Sequence, residues 1–322
     1  MNVRFGIVGL GGIATRFAKV LATVNGVELN AVASRDKAKA MAFAAEFNAK
    51  KSYDSYIDLI NDSEVDVVYI ALTNNFHYEL VKLCLNNGKA VLCEKPFVTN
   101  KKDAEDLAAL SKEKNVLLME AMWTRFIPAF KKAKEWVHNG EIGDVKLISA
   151  SFGIYSTFDP ENRLYNPKLA GGSLYDVGVY PISFTTGILD ENPIQVNGLA
   201  TFSKTGVDEC AVINMRFKSG ALATLSSGIS AYTNRDARIY GTNGNIVVYE
   251  FYGSEKCELY DNENNLKECF EEKFEDGFIY QIEHFRDLYC NNKIESDIIP
   301  LKDTIACTEI FDELKKQWEQ CI

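Results

Sequence analysis

Histidine is scarce in this 322-residue chain, with only His77, His138 and His284, and its eight cysteines never form a Cys-x-x-Cys pair. Zinc-type spacing is therefore missing, no metal is expected, and scattered reduced thiols point to a cytoplasmic protein. Long apolar runs are missing too, which excludes a membrane span. The opening Met1-Asn2-Val3-Arg4 leads straight into a strand and a glycine turn, unlike a secretory signal. Excess positive charge is absent as well: 35 Lys+Arg against 45 Asp+Glu give a formal net charge of −10. That balance disfavours a general grip on nucleic acid or an anionic membrane, so an anionic ligand needs its own local cations. There is no internal repeat and no low-complexity linker. What remains is a globular composition, 47% hydrophobic and 25% charged, in a chain long enough for two domains.

The first half alternates strand and helix. Val3–Val8 reads as a buried strand and runs into Gly9-Leu10-Gly11-Gly12-Ile13-Ala14, a G-x-G-x-x-A pattern that opens a helix from about Gly12 to Val24. Gly9 permits the tight turn, Gly11 lets backbone approach a pyrophosphate, and Ala14 allows close helix–strand packing. The helix N-terminus turns its amide dipoles towards the phosphates. The second strand, Val27–Ala33, ends in Ser34-Arg35-Asp36. NAD calls for an acidic residue at that tip, whereas a hydroxyl and a guanidinium suit the 2′-phosphate of NADP, with Asp36 expected to cap the next helix, Lys37–Phe47. NADP is therefore favoured over NAD. The pattern continues with a helix near Tyr56–Asn61, strand Val65–Leu72, Thr73-Asn74-Asn75-Phe76-His77 opening a helix, strand Lys89–Cys93, helix Lys101–Lys114 and strand Val116–Glu120. Thr73, Asn74, Asn75 and His77 fall beside the expected dinucleotide groove, although Thr-Asn-Asn is equally a helix-capping run. The expectation is a doubly wound parallel sheet of six strands, five of them placed above and one left unplaced, in a Rossmann domain over residues 1–121.

Within it, Val91-Leu92-Cys93-Glu94-Lys95-Pro96-Phe97 stops a strand abruptly at a Glu-Lys pair followed by proline. Strand ends are where open parallel sheets bind ligands, and lysine is a side chain whose pKa moves readily on burial. A surface ion pair at a strand exit would read the same way.

From Met122 the grammar changes to an α+β domain over 122–322. A helix, Pro128–Asn139, precedes a strand, Val145–Phe152. A turn-rich loop holding Phe158 and Arg163 leads to Gly171-Gly172 and a helical segment. Strands near Val196–Ser203, Cys210–Phe217, Ala221–Ser227, Ala237–Tyr240 and Asn245–Tyr249, joined by short turns, predict an open, mainly antiparallel sheet. Helices Phe278–Cys290 and Thr304–Gln320 follow. Asp176 and Tyr180 are spaced to share a helix face. A phenol there acts as a base only beside a cation such as Lys95; plain packing and capping would use the same two residues.

Together the glycine loop, Glu94-Lys95-Pro96, Met119–Phe126, Gly171-Gly172 with Asp176 and Tyr180, and Tyr240-Gly241-Thr242-Asn243-Gly244 resemble the Gfo/Idh/MocA oxidoreductases over essentially the whole chain. Within that family the chain looks most similar to dimeric dihydrodiol dehydrogenases and NADP-dependent D-xylose dehydrogenases; the dihydrodiol branch carries tyrosine at the position of Tyr180, where many members carry histidine. The resemblance implies that Lys95 orients the substrate oxygen, Tyr180 exchanges the proton, and Asp176 binds a substrate hydroxyl or holds the pair. It places Glu94 by the nicotinamide ribose, Trp123 and Arg125 at the nicotinamide end, and Phe158 and Arg163 in the substrate pocket. A cis Lys95–Pro96 bond is common among members, and the C-terminal sheet supplies their homodimer or higher-order interface. The implied activity is hydride transfer between NADP and a secondary alcohol or hemiacetal carbon of a sugar, polyol or trans-dihydrodiol. The alternatives are a non-catalytic NADP-binding regulator or sensor, and an imine or tetrapyrrole reductase on the same scaffold.

Overall fold

A computed structural model describes residues 2–319. The chain forms two compact units: one runs to Ala121 and includes Phe278–Ile305, the other runs from Met122 to Gly277 and resumes at Ala306.

In the first unit the strands are β1 (Val3–Val8), β2 (Val27–Ala33), β3 (Lys51–Tyr53), β4 (Val67–Ile70), β5 (Ala90–Glu94) and β6 (Leu118–Ala121). They form a parallel sheet in the order β3-β2-β1-β4-β5-β6. Helices α1 (Gly12–Leu21), α2 (Lys37–Phe47), α3 (Tyr56–Asn61), α4 (His77–Asn86) and α5 (Lys101–Lys114) connect them. Because helices cover both faces, β4 and β5 are buried at every residue and read in sequence as continuous apolar runs. Local signals set the helix limits. Asp36 and Asn100 cap α2 and α5 with their side chains, and Asn48 and Asn115, both left-handed, end them.

The second unit holds α6 (Pro128–His138), β7 (Val145–Gly153), α7 (Val179–Leu189), β8 (Gln195–Phe202), β9 (Asp208–Arg216), β10 (Leu222–Gly228), β11 (Ala237–Gly241), β12 (Gly244–Val248), β13 (Lys256–Asp261) and β14 (Leu266–Glu271). Its sheet runs β14-β13-β12-β11-β7-β10-β9-β8, with β7 and β10 the only parallel pair among the described strands. β13 and β14 add two strands to the six expected; β14 is a polar, almost wholly exposed edge strand with no apolar alternation to reveal it. α7 is buried along its first ten residues, as befits a helix with apolar groups all round.

The last helices are α8 (Phe278–Cys290) and α9 (Leu301–Glu319); the expected end of the latter at Gln320 lies outside the described residues, as does Cys321. A division into 1–121 and 122–322 would assign α8 to the second unit, but it packs on the first. Phe285 meets Phe5 of β1 at 6.2 Å between ring centres, and Arg16 of α1 lies 4.0 Å from the centre of the Phe278 ring. In the second unit, α9 guards the edge strand β8: Gln317 donates to Val196 O at 2.8 Å and accepts from Gly198 N at 3.0 Å. That pairing leaves less of the strand edge open to another chain. Among the described residues, no helix is long and apolar enough to cross a membrane.

Candidate active site

The glycine loop leaves β1 at Gly9, whose φ is +88° and whose added Cβ would fall 2.8 Å from Ala71 O. Both the backbone conformation and the close approach require glycine. Gly11 and Gly12 differ: among the described residues, a Cβ on either would meet no atom within 4 Å. α1 starts at Gly12 with Gly11 as N-cap, without a side-chain cap and without an acidic residue in its first turn. Its leading amides are thus left to an anion, and the open space before them is what a pyrophosphate needs. Ile13 follows on that first turn, and the fully buried Ala14 seats the helix close to the sheet. The residues present fit a dinucleotide.

At the tip of β2, Asp36 is committed to capping: its Oδ1 accepts from Lys39 N at 3.1 Å, and its own N–H donates to Ser34 Oγ at 3.1 Å. The exposed Arg35, with its guanidinium 5.6 Å from the centre of the Phe76 ring, is left as the charged group of the tip. Thr73 occupies an N-cap position, but its hydroxyl donates to Asn75 Oδ1 at 2.7 Å instead of accepting a backbone N–H. Asn74 to Phe76 form a short 3₁₀ turn before α4.

The loop after β5 is held from inside the unit. The buried Glu94 accepts from Tyr69 Oη at 2.5 Å and from the Lys95 amide at 3.3 Å. Burial raises the pKa of Glu94, and burial with the adjacent Glu94 charge raises that of Tyr69. The Glu94 carboxyl therefore serves the sheet, which leaves its backbone for any contact with the nicotinamide ribose. The Lys95–Pro96 peptide is cis. His77, expected among the cofactor residues, is fully buried with its ring nitrogens on the carbonyls of Leu72, Pro96 and Phe97. Its ring is spent on backbone; sequence separation hid those partners.

In the second unit, Gly172 has φ +121°, and a Cβ there would fall 2.3 Å from Asp208 Oδ1. Asp208 accepts from Ser173 Oγ at 2.8 Å and Leu174 N at 2.6 Å, and its burial lifts its pKa to about 6. This carboxyl, which no local pattern announces, fixes where the helical segment begins. Leu174–Gly178 form a π-helical turn, a feature frequent at functional sites, and α7 follows. The simple α-helical spacing expected between Asp176 and Tyr180 is thus interrupted. Asp176 pairs with Arg163 Nη1 at 2.7 Å. Tyr180, 8% exposed, receives Trp123 Nε1 at 3.4 Å and lies 5.2 Å from the Phe152 ring and 6.2 Å from that of Tyr252. Phe158 is partly exposed beside Tyr165. Arg125 donates to Ser183 Oγ at 3.0 Å and Thr186 Oγ1 at 2.9 Å, and is 2% exposed. It braces α7, a role at odds with direct cofactor contact.

Residues 3–122 match the GFO_IDH_MocA family (oxidoreductase family, NAD-binding Rossmann fold), and residues 130–247 match the GFO/IDH/MocA C-terminal domain. The chain belongs to the Gfo/Idh/MocA oxidoreductases. Among its relatives in that family, the trans-1,2-dihydrobenzene-1,2-diol dehydrogenase of Xenopus tropicalis is 33% identical, with 98% of each chain covered. The scyllo-inositol 2-dehydrogenase (NADP(+)) IolU of Bacillus subtilis is also 33% identical, covering 98% of this chain and 97% of that one. Among solved structures, KijD10, a 3-ketoreductase from Actinomadura kijaniata in complex with NADP and TDP-benzene, superposes with a TM-score of 0.89 at 24% identity, with 98% of each chain covered. The aldose-aldose oxidoreductase of Caulobacter crescentus gives 0.89 at 23% identity, covering 100% of this chain and 99% of that one. These structures share the fold.

Proposed function

We propose that this oxidoreductase transfers a hydride between the nicotinamide C4 of NADP and a secondary alcohol or hemiacetal carbon of a sugar, polyol or trans-dihydrodiol. The observation that carries the reading is the setting of Tyr180: a nearly buried phenol, on a helix entered through a π turn, whose oxygen receives an indole N–H. When bound, the nicotinamide supplies the hydride acceptor or donor. Tyr180 takes the hydroxyl proton during oxidation and returns it during reduction. Lys95 stabilises the developing oxyanion and, as a cation, favours the phenolate; the Trp123 N–H acts in the same sense. A positioned acid/base contributes about 10²–10⁴ in rate, and oxyanion stabilisation a comparable factor. Asp176, fixed by Arg163, accepts from a substrate hydroxyl, Phe158 flanks the substrate, and Trp123 lines the nicotinamide end. Gly9, Gly11, Gly12 and the first amides of α1 hold the pyrophosphate, while Thr73, Asn74 and Asn75 follow the groove.

Ser34 and Arg35 supply the preference for NADP. Arg35→Asp is expected to weaken NADPH binding about tenfold to a hundredfold, as loss of charge-assisted hydrogen bonds would, with a much smaller loss for NADH. Parallel fluorescence titrations check this; equal losses for the two would remove Arg35 from 2′-phosphate recognition.

The second unit's sheet is our proposed homodimer surface. Exposed Leu199 pairs with Val212 across β8 and β9, and Leu222, Leu147 and Tyr240 form a second row across β10, β7 and β11. Val212→Glu is expected to convert a dimer into a 36.1 kDa monomer in sedimentation equilibrium at micromolar concentration. A dimer unchanged by the substitution would exclude this face. The seven described cysteines are free, which supports a cytoplasmic setting. Titration with NADPH, then a turnover screen over aldoses, polyols and aromatic trans-diols, tests the proposed activity as a whole. NADPH binding without turnover on any of these favours a sensor, unless a follow-up with imines shows turnover, which favours the other reductase chemistry.

A further inference from the structure

The segment that carries Lys95 is gripped by buried side chains that the proposed chemistry does not use. His77 Nδ1 lies 3.0 Å from Pro96 O and 3.1 Å from Phe97 O, and its Nε2 lies 3.1 Å from Leu72 O. A carbonyl oxygen only accepts, so each of these contacts needs a proton on the ring. Burial holds His77 below the ordinary histidine pKa, the three carbonyls oppose that shift, and the Lys95 charge adds to it. The ring is then neutral near pH 7 with one N–H, and two of its three acceptors converge on Nδ1. A proton placed there is shared between the carbonyls of Pro96 and Phe97. Leu72 gains a donor when the ring takes up a second proton.

Glu120 grips the other side of the same peptide. Its Oε1 accepts from Phe97 N at 3.1 Å, and its Oε2 accepts from Thr304 Oγ1, at the start of α9, at 2.9 Å. Phe97 is therefore held through its N–H by one buried side chain and through its C=O by another. Counting Glu94 on the Lys95 amide, three buried side chains fix the backbone of residues 95 to 97. Burying three ionisable side chains is costly unless each is hydrogen-bonded. Here much of their bonding is spent on one short stretch of main chain, the stretch that sets where the Lys95 side chain starts.

We propose that His77 and Glu120 are positioning residues for Lys95, clamping the Lys95–Phe97 loop between the start of α4 and the end of β6. The proposal rests on the reading of Lys95 as catalytic. Neither residue touches substrate; each acts through the loop. A displacement of about 1 Å in a catalytic group can cost on the order of 10² in rate.

The test compares His77→Leu, His77→Gln and Glu120→Gln with Lys95→Met in the full-length protein. His77→Leu and Glu120→Gln are each expected to lower kcat about tenfold to a hundredfold, with NADPH Kd and substrate KM within about threefold of wild type. His77→Gln, which returns an N–H to the carbonyls, should recover part of the loss. In both impaired variants the pH limb of kcat assigned to Tyr180 should move upward by about one unit, because the assistance that the proposed mechanism gives the phenolate through Lys95 is weakened. A purely structural role would reduce the melting temperature or the active fraction and leave that limb in place. If His77→Leu does not fold, His77→Gln and Glu120→Gln carry the same test. Collapse of turnover in Lys95→Met, with wild-type kcat and pH limb in the clamp variants, overturns the proposal and leaves Lys95 catalytic. Wild-type turnover in Lys95→Met removes the catalytic role and the clamp's purpose with it.

Discussion

Lys95→Met is expected to lower turnover by about 10³–10⁴ while NADPH affinity stays within about threefold, since on the proposed mechanism the substitution removes the cation that acts on the substrate oxygen and the phenol. Methionine keeps an unbranched stem, and the polypeptide around it is held by Glu94, His77 and Glu120 through backbone atoms. Binding is read by nucleotide fluorescence and chemistry by steady-state rates on whichever substrate the screen identifies. Arginine should not substitute for Lys95. Its planar, fixed guanidinium cannot reproduce a compact point charge, and its high pKa removes the tunability that lysine brings. Near wild-type turnover in Lys95→Met would take Lys95 out of the chemistry.

Tyr180→Phe should cost about 10²–10⁴ in kcat, the range for loss of a positioned acid/base. The ring contacts with Phe152 and Tyr252 survive this change; only the phenol oxygen is lost, and the Trp123 N–H forfeits one acceptor. That loss costs about 1 kcal/mol, so the melting temperature should fall by no more than about 4 °C. A variant that keeps its stability but loses the pH limb of kcat assigned to the phenol is the expected result. A variant with intact kcat would mean that another group exchanges the proton.

The parts of the structure legible in the sequence are those with local causes. α2, α3 and α5 start and end where expected, and α2 and α5 do so because Asp36, Asn48, Asn100 and Asn115 carry their caps within the helix or one residue away. The strands of the first sheet stand out because burial on both faces forces apolar runs. What stayed hidden has distant or weak causes. β3 is a three-residue edge strand without full burial, and β14 is acidic and exposed. The return of α8 to the first unit depends on contacts such as Phe5 with Phe285, which no linker composition announces. The site divides along the same line. The glycine loop and Ser34-Arg35 are spaced by local geometry. His77 and Arg125, polar residue types in suggestive places, turn out to be buried on backbone carbonyls and on the hydroxyls of α7. Asp208 and Glu120 lie far in sequence from the segments they hold, and nothing next to them marks that work. The π turn ahead of α7 likewise has no pattern of its own, because it depends on how Ser173 and Leu174 are anchored to Asp208.

The central claim is direct hydride transfer between NADP and a carbinol carbon. Its most direct test supplies the enzyme with NADPH carrying deuterium at both C4 positions of the nicotinamide and a carbonyl substrate identified by the screen, and locates the label in the product by NMR. The account predicts deuterium on the new carbinol carbon of the alcohol product, with a single configuration at that centre. Product without deuterium at that carbon, or NADPH binding without any turnover of the aldoses, polyols and diols when NADP⁺ is supplied, would contradict it.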